Sequence, residues 1–140
     1  MKYTPILLCA LCIALISSCS KSNSNSGSPA EAKLLGKWHY EQEITDLNGN
    51  GIIDAQDYHE YDSVNSYITF NVNGTGTYLS NFDPLQTFNW KLLASDTYLQ
   101  IGDSSGADIY HIDTLSSTSL VLRDTATSFS NPIVWEVLKK

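Results

Sequence analysis

Ile68-Thr69-Phe70-Asn71-Val72-Asn73-Gly74 is the stretch from which the rest of the chain can be read. Ile68, Phe70 and Val72 alternate with Thr69 and Asn71, so an extended backbone puts the apolar side chains on one face. Asn73-Gly74 then supplies the residue pair that accepts the left-handed backbone of a tight hairpin turn. Residues 77–80 bring the chain back. The same pattern continues outwards. Phe88, Trp90 and Leu92 alternate with Asn89 and Lys91, and Leu99 and Ile101 follow a turn at Ser95-Asp96. Residues 102–106 form another turn, residues 109–113 a strand, and Leu120 and Leu122 sit in the next. Pro132 opens the last strand, where Ile133, Trp135 and Val137 alternate with Val134, Glu136 and Leu138. On the N-terminal side, residues 35–45 read as the first strand. Strand candidates recur about every ten residues, with turn signals between them. The expected fold is all-β: a small antiparallel up-and-down barrel of about eight strands, closed because closure removes exposed edges.

Leu34-Leu35-Gly36-Lys37-Trp38 resembles the Gly-x-Trp opening of lipocalins. The Phe-x-x-x-Gly-Thr hairpin from Phe70 to Thr75 and the spaced Ile112, Leu115 and Leu120 resemble the short lipocalin-like domains of Bacteroidetes lipoproteins. The resemblance covers residues 34–138 and implies a lipocalin-like barrel. The chain departs from classical lipocalins in being shorter and in lacking cysteines and a C-terminal helix there. In such a barrel Trp38 would plug the closed end, with Arg123 as a cation to stack on its indole. Trp90, Tyr110 and Trp135 are the candidate lining of a ligand cavity, although small barrels are more often filled by their own side chains.

The insert after the first strand carries the sharpest chemistry. Asp46-Leu47-Asn48-Gly49-Asn50-Gly51-Ile52-Ile53-Asp54-Ala55-Gln56-Asp57 resembles the calcium loop of EF-hands, most closely that of dockerins. Calcium is a hard cation that takes six to eight oxygens at roughly 2.3–2.6 Å. Asp46, Asn48 and Asn50 occupy positions one, three and five, where alternate residues turn to one side. Gly51 permits the sharp turn, Ile52 offers its carbonyl, and Ile53 is the residue expected to anchor the loop to a core. Asp54 binds directly or through water, Asp57 closes the shell, and Tyr58 follows it. Asn at position five and Asp at position twelve lower the ligand charge and reach. Residues 41–62 hold seven acids and no Lys or Arg, a local field that suits a cation.

The start of the chain addresses it to a membrane. Lys2 precedes an apolar run at residues 6–16, shorter than the roughly 20 residues a spanning helix needs. The run ends in Leu15-Ile16-Ser17-Ser18-Cys19, which resembles the bacterial lipobox. Residues 1–18 are thus expected to be a signal peptide and Cys19 the lipidated residue, which makes the membrane the first partner. Residues 19–33 are rich in Ser and Asn and read as a flexible linker. No acidic run follows Cys19, which points to the periplasmic face of an outer membrane rather than the cell surface.

Composition excludes several classes. The three cysteines are Cys9, Cys12 and Cys19, so residues 34–140 have no disulfide, cysteine metal site or thiol nucleophile. The net charge of −7 lacks the clustered Lys and Arg that nucleic acid demands. Gly102-Asp103-Ser104-Ser105-Gly106 matches the Gly-x-Ser-x-Gly nucleophile pattern, but that chemistry needs a strand–turn–helix elbow. Here the segment joins two strands, so it reads as a turn and the chain as a non-enzyme. His59 reads as a surface residue, and His111, in a strand, could face the barrel. Two readings remain: an anchored, calcium-binding barrel that holds a small apolar ligand or a partner, and an anchored structural protein with a filled barrel.

Overall fold

The computed structural model describes residues 27–62, 66–80, 84–103, 106–124 and 132–140. The expected signal peptide, Cys19, the first part of the linker, and Ser104 and Ser105 lie outside the described residues. A short helix α1 (Pro29–Leu34) precedes nine strands. These are β1 (Gly36–Thr45), β2 (Tyr58–Tyr61), β3 (Tyr67–Phe70), β4 (Thr75–Leu79), β5 (Gln86–Leu93), β6 (Tyr98–Asp103), β7 (Gly106–Leu115), β8 (Ser119–Asp124) and β9 (Val134–Lys139).

The strands form one antiparallel sheet that closes where β1 pairs β9. Eight strands make the barrel and β2 is added to it. One edge of β1 carries β3 along Gly36 to His39 and β2 along Gln42 to Thr45, while its other edge carries β9. The all-β barrel read from the strand period is the observed fold. Two elements lack a signal at that level. In α1, the Ser28 side chain accepts from the Glu31 backbone N–H and Pro29 starts the helix, but six residues are too few to show a helical period. In β2, Tyr58-His59-Glu60-Tyr61 has no apolar–polar alternation because it is largely exposed.

Inward residues follow the registers. Trp38, Ile68, Phe70, Trp90, Leu99, Leu120, Leu122 and Leu138 fill one end of the barrel, closed by Leu34 of α1. Trp38 is fully buried, and its Nε1 donates to the Leu34 carbonyl at 2.7 Å. The cation over its ring is Lys140, 4.4 Å from the centroid, rather than the expected Arg123. The Lys140 amine also donates to the Lys33 and Leu35 carbonyls, fastening the end of the chain to the end of α1. Arg123 lies on the outer face with Asp113.

Two β-bulges reassign faces. On β1, Tyr40 pairs Leu138 and Gln42 pairs Val137, so Glu41 is an extra residue. Beyond it Glu43 joins Glu136 on the inner face, and Ile44 joins Trp135 on the outer one. On β7 the register shifts between Ile112 and Thr114, which leaves Asp113 extra. Trp135 therefore belongs to a second cluster, with Ile44, Val137, Val121 and Ile133, on the outside of the barrel. Its Nε1 donates to Asp113 Oδ2 at 2.8 Å. Asp113 Oδ1 meets His111 and Arg123, so His111 also faces outwards, against the Tyr98 ring.

Candidate functional site

The connection from β1 to β2 is the acidic loop, and it stands over the outer cluster. The Asp46 N–H donates to the Ile133 carbonyl at 2.9 Å, and Ile133 Cδ1 lies 3.8 Å from where a Cβ on Gly51 would stand. Ile53 does not anchor the loop: it is 41% exposed, Ile52 is 65% exposed, and Tyr58 is exposed too. The link to the outer cluster is instead the Asp46 N–H bond to the Ile133 carbonyl, with Gly51 standing near the Ile133 side chain. Local spacing carries no sign of this, because Ile133 lies about eighty residues further along the chain.

Within the loop the oxygens turn inwards on backbone N–H groups. Asp46, 2% exposed, accepts from Gly49 N at 2.6 Å and Gly51 N at 2.8 Å. Gly51 has φ +72°, the left-handed turn expected of it. Asn48 Oδ1 accepts from Asn50 N, and Asn50 Oδ1 from Ile52 N. Asp54 accepts from Gln56 N and from the Asn50 and Asn48 amides, and these donors hold its carboxyl below the usual range. Asp57 is 7% exposed; its Oδ2 accepts from Asp54 N at 2.8 Å, while its Oδ1 is buried with no hydrogen-bond partner. A buried carboxylate oxygen left unpaired is costly, and a cation would satisfy it. Among the described residues no three His, Cys, Asp or Glu side chains converge as a metal-holding group. The candidate shell instead depends on Asn48, Asn50 and the Ile52 carbonyl as well as the acids.

The second feature is the open end of the barrel. A cavity of about 690 Å³ lies there, within the size range of small-molecule sites. Tyr110 is among the residues that line it. Trp90 does not: it is buried in the filled end, with Nε1 donating to the Thr75 carbonyl at 2.8 Å. Trp135 does not either, since the Glu41 bulge and the β9 register put it outside. The residues that sequence reading missed are the polar ones, Tyr40, Glu43, Asp108 and Glu136 among them. Glu136 looked like the solvent-facing partner of Trp135. Only the pairing of Glu136 with Leu122 and Glu43 turns it inwards.

Burial raises the Tyr40 hydroxyl well above its ordinary value, with Glu136 adding to the effect, and raises Tyr110 as well. Glu136 is half-buried on the inner face of β9. Desolvation pushes its carboxyl up to about 7 against the opposing hydrogen bond from Tyr40, with Glu43, Asp124 and Asp108 adding repulsion.

No family model matches the chain, and no curated protein matches it. Among solved structures it is similar to a lipocalin-like protein from Bacteroides uniformis, at 18% identity and a TM-score of 0.50. That match covers 77% of this chain and 98% of the other. Strand order, closure and this likeness agree: the chain has a lipocalin-like fold, a closed eight-strand antiparallel barrel with one strand added.

Proposed function

We propose that this chain is a lipid-anchored protein of the bacterial envelope, a lipocalin-like barrel that holds a small molecule in its open end and a calcium ion in the loop at residues 46–57. The observation that carries the calcium reading is Asp57 Oδ1, buried and unpaired in the loop that also holds Asp46, Asn48, Asn50 and Asp54. Calcium suits this set because every donor is a hard oxygen. The 690 Å³ cavity favours a ligand-holding barrel over a filled one. Its acidic lining moves the expected ligand from an apolar molecule to a polar one.

Calorimetric titration of calcium into the purified chain tests the loop. We expect one saturable site with Kd on the order of 10⁻⁴–10⁻³ M, and weak competition by magnesium, which keeps its water and wants a smaller shell. Calcium at tenfold excess over Kd should add about 1.4 kcal/mol, roughly 5–10 °C in melting temperature. Asp57→Ala and Asp46→Ala should abolish both the heat and the melting shift. Asp96→Asn, in the β5–β6 turn, should leave them intact. If millimolar calcium produces neither signal in the parent chain, the loop is a turn and nothing more.

The anchor rests on the lipobox ending in Cys19. Fractionation of cells expressing Cys19→Ala should find the chain released from the membrane or unprocessed. Normal cleavage with full membrane retention would remove the lipoprotein reading.

A further inference from the structure

The chemistry of the cavity is one-sided. Five carboxylates line it, from Glu43, Glu60, Asp62, Asp108 and Glu136, and among the described residues no Lys, Arg or His does. Carboxylates at a rim are ordinary solvated groups, but Glu136 is not at the rim. It stands on the inner face of β9 between Leu122 and Glu43, and the Tyr40 hydroxyl hydrogen-bonds to it. Tyr40 in turn packs edge-on against Tyr78 at 5.8 Å, and Tyr110 completes an aromatic wall. A half-buried acid held among aromatic rings and other carboxylates, with no base beside it, is unfavourable in the empty barrel, and a bound cation would offset that. Tyrosine faces favour the same charge, because the ring quadrupole is negative above its plane. A bare metal ion fits poorly, since no three acidic side chains converge among the described residues. A carboxylate-bearing ligand such as a fatty acid would meet repulsion from all five acids.

We propose that the cavity binds a small organic cation, an ammonium-bearing molecule whose charged head sits against the Glu136 carboxylate among Tyr40, Tyr78 and Tyr110, an assignment that rests on the cavity being a ligand site. The rest of the molecule lies along Phe88, Ile101 and Ile68, the apolar side chains of the same wall. The loop at residues 46–57 is a separate site, so calcium binding and cation binding can fail independently.

The cation should also sense pH. Glu136 titrates near 7, and the charged or titratable groups around it are Tyr40 and Glu43 on β1, Tyr78 on β4, Asp108 and Tyr110 on β7, and Asp124 on β8. The cation binds the ionised carboxylate, so affinity rises as pH passes upwards through about 7 and weakens below it.

Three dansyl probes of different charge test this by fluorescence titration of the purified chain. Dansylcadaverine is a cation, dansylamide is neutral and dansylglycine is an anion. Dansylcadaverine should bind about tenfold or more tightly than dansylamide, the range of a charge-assisted hydrogen bond, and dansylglycine should not saturate. Affinity for dansylcadaverine should fall about tenfold between pH 8 and pH 6 as Glu136 takes up its proton. Glu136→Gln should erase both the charge preference and the pH response. Retained dansylamide binding by that variant would show that its cavity is intact. If dansylamide binds as well as dansylcadaverine, or Glu136→Gln keeps the preference, the cation assignment is wrong while the cavity remains a ligand site. If no probe binds, the cavity reading falls and takes the cation assignment with it.

Discussion

Trp38→Ala should destabilise the domain by about 3–5 kcal/mol, the range for emptying a fully buried aromatic position. Trp38 has no exposed surface and stands beside Ile68 at the filled end. Its loss would do three things together. It opens a cavity under α1. It leaves the Leu34 carbonyl without the indole N–H that now meets it at 2.7 Å. It also removes the ring beneath the Lys140 amine. Urea unfolding followed by far-ultraviolet circular dichroism measures the effect. With a slope of about 1–3 kcal/mol per molar urea, the midpoint should fall by roughly 1–5 M. Trp38→Phe keeps most of the volume but not the hydrogen bond, and should fall between the two. A loss below about 1 kcal/mol for Trp38→Ala would mean that α1 and the end of the chain do not close the barrel in solution.

The second large effect is expected at Gly76. This residue pairs with Phe70 on one side and Phe88 on the other. The Phe88 ring lies over its Cα, where any Cβ would stand, and the Thr69 carbonyl oxygen is 2.6 Å from that point. Phe70 meets Phe88 at 5.9 Å and Trp90 at 5.6 Å, both edge-on, so the ring cannot move without disturbing two others. Gly76→Val therefore overpacks the strand despite the β-propensity of valine, and should cost about 3 kcal/mol, the upper end for such changes. Because Phe88 also lines the cavity, dansylamide binding should weaken in this variant. Melting temperature and probe titration on one preparation check both consequences. A stability equal to that of the parent would show that Phe88 does not rest on Gly76.

The period-two runs made the barrel legible, because Ile68 and Phe70 on β3 and Trp90 and Leu92 on β5 obey strict alternation with one buried face. The filled end was legible too, for the same reason. What local sequence could not show is any property of strand pairs. Gln42 and Glu43 are both polar, so nothing in β1 marks the extra residue at Glu41. Without that shift, Ile44 looks inward and Glu43 outward, and Trp135 looks like a cavity wall. The β5–β6 turn hides its geometry as well: Ala94, Ser95 and Asp96 all have positive φ with no glycine to announce it. At the acidic loop, the order of Asp, Asn and Gly stands in the sequence, whereas the burial of Asp57 and the support from Ile133 are tertiary facts. The Lys140 contact with Trp38 joins residues at opposite ends of the domain, and spacing along the chain carries no trace of it.

The bulge at Glu41 gives the barrel an unusual route of descent. Facing along a strand has period two, so one residue more or fewer exchanges the two faces of everything beyond it. Deleting the single codon for Glu41 would instead close the bulge, because Glu41 is the residue without a partner on β9: Glu43 would stay inside opposite Glu136 and Ile44 outside opposite Trp135. The lineage can thus gain or lose that one residue without turning the acid-lined mouth inside out, and without losing the half of the barrel that holds it folded.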